Sequence, residues 1–219
     1  MPEILNPDLA RYIDSLVPER PAELRGMEDW AREHDFPIIG PACGHICYEV
    51  ARMLGARRIF ELGSGYGYST AFFARAVKEN IARQSRDGVA VHHVVWDEEL
   101  SSRARTHLTA LGCADVVTFH VSEAVSTLRQ TEGPFDLIFL DIEKKDYPSA
   151  LPAIEEKLRP GGVLIVDNMI WSGRVYDDRE QAEDTNGVRA LTRALTTSPR
   201  WISLIVPIRD GLLIAYRAS

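Results

Sequence analysis

The sequence predicts an α/β protein: an open, mostly parallel sheet with helices on both faces. Three observations carry this. From residue 57 onward, short apolar runs alternate with amphipathic stretches, the pattern of strand–helix units built around a parallel sheet. Three of those runs, Arg58–Leu62, Phe135–Asp141 and Gly162–Asp167, carry an acid at or next to the end: Glu61, Asp141 and Asp167. The tail holds two strand-like runs, Trp201–Val206 and Gly211–Tyr216, joined only by Pro207-Ile-Arg-Asp210. So short a link predicts an antiparallel hairpin, because a parallel crossover needs roughly a dozen residues or more.

Taken in order, the first third is helical. Asn6-Pro7 is a cap followed by a proline at the first helical position, leading a helix from Asp8 to Val17. A second helix is predicted over Pro21 to Asp35, and a third over Pro41 to Leu54, ended by Gly55. Between them lies Phe36-Pro-Ile-Ile-Gly40, a loop placed to fold over the sheet end. Strands are then predicted near 57–62, 89–96, 115–121, 135–141 and 162–167, and helices near 68–80, 98–111, 123–130, 147–158 and 184–197. We read residues 1–219 as one domain, with 1–56 a helical cap region and 57–219 the α/β core.

Composition excludes several classes. The apolar fraction of 45% is that of an ordinary globular chain. A net charge of −7 gives no general electrostatic reason to bind nucleic acid. The first 30 residues carry no apolar signal-like core, and no apolar stretch is long enough to span a membrane. The expectation is a cytoplasmic protein with no membrane partner. Three cysteines do not make a disulfide framework. Cys43 and Cys47 share a helix face, but two thiols do not close a tetrahedral zinc site, so buried packing is their predicted role. His92 and His93, adjacent in a strand, should face opposite sides, and His34, His45, His107 and His120 show no ligand spacing.

The chemistry concentrates at the carboxyl ends of the predicted strands, where ligands of open α/β sheets collect. Glu61-Leu-Gly-Ser-Gly-Tyr-Gly-Tyr-Ser69 follows a strand and opens a helix. Its glycines admit close backbone approach, and the helix start offers free N–H groups to an anion. The spacing is G-x-G-x-G, with Tyr68 where a nicotinamide fingerprint wants its third glycine. Glu61 beside a helix amino terminus suits a ligand bearing both an ammonium and a carboxylate. Asp141, Asp167 and Asn168 offer oxygen ligands alone, which favour Mg²⁺, Mn²⁺ or Ca²⁺ over zinc.

The segment from Ile59 to Ala74 resembles motif I of S-adenosylmethionine-dependent methyltransferases. With Phe135–Tyr147, Val166–Gly173 and Pro207–Gly211, it resembles the metal-dependent O-methyltransferases of the catechol and caffeoyl-coenzyme A type, over roughly residues 36–217. The resemblance implies the Rossmann-like class I methyltransferase fold, a seven-stranded, mostly parallel sheet whose last strand is antiparallel. It implies that Glu61 and Ser69 hold the methionine part of S-adenosylmethionine, with Gly63 and Gly65 in the turn beside it. Trp96 falls where a hydrophobe covers the adenine, and Glu123-Ala124 occupies the third adenine-side motif. The acid that binds the ribose in the family falls on Val95, which accepts no hydrogen bond; Asp97, two residues on, is expected to replace it. Asp141, Asp167 and Asn168 match the metal ligands, with Asp141 also at the cofactor, and Lys144 matches the general base. A cation nearby keeps a lysine amine available as a base.

The reaction expected is methyl transfer to a metal-coordinated hydroxyl of a small, catechol-like or phenolic acceptor. The glutamate that catechol enzymes place six residues before the Asp-Gly turn is Leu204 here. A second reading sends the methyl group to a hydroxylated uridine of tRNA, through a basic surface of Arg25, Arg32, Arg174 and Arg179. A third is a non-catalytic binding protein that keeps the fold. The resemblance also implies a homodimer with the amino-terminal helices contributing.

Overall fold

The computed structural model describes residues 6–82 and 88–218. Three helices open it: α1 (Pro7–Leu16), α2 (Ala22–Glu33) and α3 (Gly40–Met53). α1 starts as its sequence dictates. Asn6 Oδ1 accepts the Asp8 N–H at 2.8 Å, and Pro7 takes the first turn, where a missing N–H costs nothing. The core then alternates: β1 (Arg58–Leu62), α4 (Tyr68–Ile81), β2 (Ala90–Val95), α5 (Glu98–Ala110), β3 (Val117–Val121), α6 (Ala124–Gln130), β4 (Phe135–Leu140), α7 (Tyr147–Lys157), β5 (Leu158–Val166), α8 (Glu183–Thr197), β6 (Trp201–Val206) and β7 (Leu212–Arg217).

The described strands form a seven-stranded sheet in the order β3-β2-β1-β4-β5-β7-β6. β1 to β5 pair in parallel, whereas β7 runs antiparallel to both β5 and β6, as the short Pro207–Asp210 link required. The chain order reverses between β1 and β4, which makes their carboxyl ends the place where an open sheet leaves a crevice.

Two strand starts differ from the sequence reading by two residues or more. β5 starts at Leu158 rather than 162: Leu158 pairs with Phe135 across a register shift, and Arg159 Nε donates to Asp136 at 2.7 Å. These contacts draw Arg159-Pro-Gly-Gly, a turn-like stretch, into the ladder. β3 starts at Val117, because Ala114–Val116 form a 3₁₀ turn before it.

Side chains alternate across a sheet, and that alternation builds two cores. Ile59, Val91, Leu137, Phe139, Val163 and Ile165 face the layer of α2–α5. Phe60, Leu62, Val94, Ile138, Leu140, Leu164 and Val166 face the layer of α6–α8. The same period sends Glu61, Asp141 and Asp167 to the side of Ile59, Phe139 and Ile165. His92 and His93 split as expected: His92 stacks on Phe60, while His93 packs against Phe119.

Candidate active site

The ends of β1, β4 and β5 lie level. The Asp141 N–H donates to the Leu62 carbonyl at 2.8 Å, and the Asp167 N–H to the Leu140 carbonyl at 3.1 Å. Gly63 makes this closeness feasible. It sits at φ +88°, and a Cβ there would lie 2.0 Å from the Asp141 carbonyl oxygen. Gly65 follows with the Phe36 ring against it, 3.5 Å from where a Cβ would stand. The loop before α3 thus reaches the glycine turn, as the sequence suggested. Ser64 Oγ accepts the Val94 N–H at 2.9 Å and ties the turn to β2.

Glu61 is fully buried, and neither carboxylate oxygen has a hydrogen-bond partner among the described residues. Burial pushes its carboxyl up to about 7, against the opposing pull of the Thr70, Ser69 and Ser64 hydroxyls. Those hydroxyls influence the group without completing a bond; Thr70 Oγ1 instead lies 3.1 Å from His93 Nδ1. A buried carboxylate without partners is costly unless a ligand supplies the missing donors. Ser69 is buried in the first turn of α4, beside it.

The second half of the site is oxygen-rich. Burial, and next the charge of Asp141, push Asp167 up to about 7. Tyr147 donates its hydroxyl to the Asp167 carbonyl at 3.0 Å and fixes the strand end from below. Asn168 sits at φ +58°, a conformation asparagine tolerates, and its Nδ2 donates to Asp210 Oδ2 at 3.4 Å. That leaves the amide oxygen free to face a cation. Among the described residues no three His, Cys, Asp or Glu side chains gather as a metal cluster. The set here is two carboxylates and an amide. Lys144 Nζ donates to Asp141 Oδ1 at 2.7 Å and to the Ile142 carbonyl at 3.1 Å, with the side chain 12% exposed.

The remaining sequence candidates are spread along the rim. The Trp96 ring, just past β2, is 72% exposed. Val95 is buried, and Asp97 caps α5, its Oδ1 accepting the Leu100 N–H at 2.9 Å. Glu123 caps α6: Oε1 accepts the Val125 N–H at 2.8 Å and Oε2 the Ser126 N–H at 2.6 Å, and Ala124 is buried behind it. Three of the four arginines proposed as a basic surface pair with acids: Arg25 with Glu19, Arg32 with Asp29 and Arg179 with Asp177. The cysteines are buried free thiols, and burial pushes Cys43 up to about 12.

Sequence reasoning passed over two residues here. Asp210 Oδ1 accepts the Ser172 N–H at 2.5 Å while Oδ2 holds Asn168, so the β6–β7 turn braces the β5 end. Trp171 places its ring 5.7 Å from Lys144 Nζ, and its buried Nε1 has no hydrogen-bond partner among the described residues. The signal for Asp210 was its place in an Asp-Gly turn; Trp171 carried none beyond its nearness to Asp167-Asn168.

Comparison with known proteins identifies the family and the fold. A catechol O-methyltransferase of Niastella koreensis is 27% identical over 215 residues, covering 93% of this chain and 94% of its own. The O-methyltransferase TomG of Streptomyces achromogenes, solved in complex with S-adenosylmethionine and involved in tomaymycin synthesis, superposes with a TM-score of 0.82 at 27% identity, covering 97% of this chain and 96% of its own. An O-methyltransferase of Bacillus cereus, solved with S-adenosylhomocysteine, shares the fold at a TM-score of 0.82 and 23% identity, covering 96% and 97%. The sequence profile of the O-methyltransferase family matches residues 29–218. With nearly the whole chain inside that match, and the acidic strand ends where the fold leaves its crevice, this protein belongs to the O-methyltransferase family.

Proposed function

We propose that this enzyme transfers a methyl group from S-adenosylmethionine to a hydroxyl of a small catechol-like or phenolic acceptor, with a divalent cation, Mg²⁺ or Mn²⁺, at the acceptor. The observation that carries the reading is Glu61, a buried carboxylate with both oxygens unpartnered beside a glycine turn. An ammonium group supplies what those oxygens lack, and the start of α4 at Ser69 suits the carboxylate of the same amino-acid moiety. Gly63 and Gly65 let the turn pass beside it. Trp96, Asp97, Glu123 and Ala124 border the adenosine side, where Asp97 has one carboxylate oxygen beyond its cap bond to offer the ribose. Bound there, the cofactor supplies an electrophilic methyl group on a sulfonium.

The donor set of the second half also fits its group. Two carboxylates, of which Asp167 is raised by burial and next by the charge of Asp141, together with the Asn168 amide, suit a hard cation. Asp141, Asp167 and Asn168 would hold it, and its role is to acidify a coordinated hydroxyl. Lys144 Nζ stands on Asp141, where it can take the acceptor's proton. The Trp171 ring lies 5.7 Å from Lys144 Nζ and packs beside it. Orienting the two reactants contributes about 7–11 kcal/mol in well-aligned systems, so most of the work of these residues is placement.

Two finer points follow the same reading. Leu9, Tyr12 and Leu16 stripe the outer face of α1, which buries none of its own residues, and Ile202, Leu204 and Tyr216 lie exposed at the sheet edge. We assign these surfaces to a second copy of this chain, testable by sedimentation at graded concentration. Among the described residues no helix is long and apolar enough to cross a membrane, and buried thiols suit a reducing compartment, for which we assign the cytoplasm.

The deciding experiment uses cofactor labelled in its methyl group, with Mg²⁺, against catechols, caffeoyl thioesters, flavonoids and undermodified tRNA. Label on a phenolic oxygen supports the reading. Label on tRNA alone moves the acceptor to a uridine. Absence of both transfer and S-adenosylhomocysteine binding would overturn it.

A further inference from the structure

Arg209 occupies a backbone conformation that suits glycine. Its φ is +50°, in the left-handed region that L side chains with a long stem rarely adopt. Such a residue persists where the surroundings over-determine it, and these positions cluster at ligand sites. The surroundings are specific. Arg209 stands in the β6–β7 turn next to Asp210, the residue that holds Asn168. Its side chain lies across the backbone of Gly40, at the start of α3; a Cβ on Gly40 would come within 1.8 Å of Nη1 and 2.9 Å of Cζ. Gly40, itself at φ +73°, thus leaves the notch that the guanidinium fills. The charge of Arg209 acts on Asp167, lowering it, and on Tyr68 at the start of α4. The guanidinium therefore sits between the start of α3 and the β6–β7 turn that holds Asn168.

Arg209 nevertheless makes no hydrogen bond or ion pair among the described residues, and it is exposed. Asp14 of α1 lines the same small crevice, with Ala10, Ile13 and Ile208, without pairing to it. A guanidinium seated against Gly40, with no hydrogen-bond or ion-pair partner among the described residues, is a preorganised carboxylate receptor.

We propose that Arg209 selects an acceptor that carries a carboxylate, pairing with it while the ring hydroxyls face Asp141, Asp167 and Lys144. This rests on the reading of the site as one of O-methyl transfer. A carboxylate at this guanidinium has two sources, the acceptor and the amino-acid end of the cofactor. Exposure favours the acceptor, since the cofactor's end is assigned to the buried Glu61 and Ser69.

The test compares 3,4-dihydroxybenzoate with its methyl ester, which keeps the ring hydroxyls and removes the charge. Calorimetry on protein loaded with S-adenosylhomocysteine and Mg²⁺ reads both. Wild type is expected to bind the acid about 10–100-fold more tightly than the ester, the scale of a hydrogen bond to a charged group. Arg209→Gly should erase that difference and leave ester binding intact, without loss of melting temperature, because glycine suits the backbone there. Arg209→Lys should keep part of it, having the charge without the fork. Asp14→Asn should change nothing. Equal binding of acid and ester by wild type overturns the proposal. So does an equal loss of both ligands in Arg209→Gly, which would mark an effect on the cation site, or a loss confined to S-adenosylhomocysteine, which would give the guanidinium to the cofactor. Turnover with labelled cofactor is scored separately: no methylation of either ring counts against catechol methylation, while the binding difference still decides Arg209.

Discussion

Replacing Glu61 by glutamine separates charge from shape at a fully buried acid that has no hydrogen-bond partner among the described residues. Its carboxyl is raised from the ordinary 4.5 to about 7 by burial. A folded-state acid raised above its unfolded value holds its proton more tightly in the native protein. The stability this gives is fully present below about 4.5 and is lost as the pH rises through about 7. At ~1.4 kcal/mol per pH unit, ligand-free wild type should lose about 2.5 kcal/mol between pH 5 and pH 8 from this group alone. Glu61→Gln has no such group. It carries instead a pH-independent cost of roughly 1–3 kcal/mol for its own unsatisfied amide. Asp167 also titrates near 7, but in both proteins, so it cancels to first order in the difference. Urea unfolding at pH 5 and pH 8 reads the gap, which should swing by about 2.5 kcal/mol in favour of the variant at the higher pH. Calorimetry supplies the second arm. S-adenosylhomocysteine affinity in wild type should rise from pH 6 to pH 8 as Glu61 ionises, and in Glu61→Gln should be weak and flat. A stability gap that does not move with pH would refute the argument from burial. A variant that binds as wild type does would refute the ammonium contact.

The remaining predictions concern the oxygen-rich half and the rim. Chelation should abolish turnover, with Mg²⁺ or Mn²⁺ restoring it; full activity in a preparation shown metal-free by elemental analysis would remove the cation from the mechanism. Lys144→Ala should lower kcat by ~10²–10⁴-fold. Lys145→Ala should leave it unchanged, since Lys145 is exposed and is held only through its backbone N–H on Asp184; equal losses in both would point to a general charge effect. Asp97→Ala should cost ~0.5–2 kcal/mol of stability through the α5 cap, whereas Asp97→Asn keeps the cap and tests the ribose contact. An unchanged cofactor Kd in Asp97→Asn would leave Trp96 as the adenosine contact at that edge.

What the sequence revealed follows the range of the physics involved. Buried strands announce themselves as short apolar runs, and the period-two alternation puts Ile59 with Glu61, Phe139 with Asp141 and Ile165 with Asp167 on one side without any coordinates. The start of β5 was hidden because Arg159-Pro-Gly-Gly has turn chemistry; only its neighbour Asp136, bonded to the Arg159 side chain, draws it into the ladder. The caps are a different case. Asp97 before Glu98-Glu99 and Glu123 before Ala124 sit where a helix start wants an oxygen acceptor, and the structure uses both so. Reading them through the cofactor alone overlooked a local requirement that was visible. Asp210 and Arg209 are the opposite case: the Asp-Gly turn marked the place, but what they do depends on Asn168 and Gly40, far away in the chain.

The helices before β1 are best understood through the tyrosines that interrupt the glycine turn. Tyr66 donates its hydroxyl to the Met27 carbonyl at 2.8 Å, and its ring meets Trp30 and Phe36 edge-on, with centroids 5.1 and 5.0 Å away. Tyr68 donates to Glu28 Oε1 at 2.8 Å, and Glu28 is gripped by the Arg20 fork at 2.6 and 2.9 Å. Further along α2, Glu23 meets His107 of α5 at 2.6 Å. A turn with three glycines is the least ordered way to connect a strand to a helix, because glycine loses the most freedom on folding. Here its side chains reach back to α2 on one flank while Ser64 holds β2 on the other. The residue at the third-glycine place of a nicotinamide fingerprint is thus a tyrosine because that position anchors α2. Electrostatic catalysis depends on groups fixed before the reactants arrive. α2, remote from the strand ends, is therefore what holds the glycine turn in the shape that the roles proposed for Glu61 and Ser69 require.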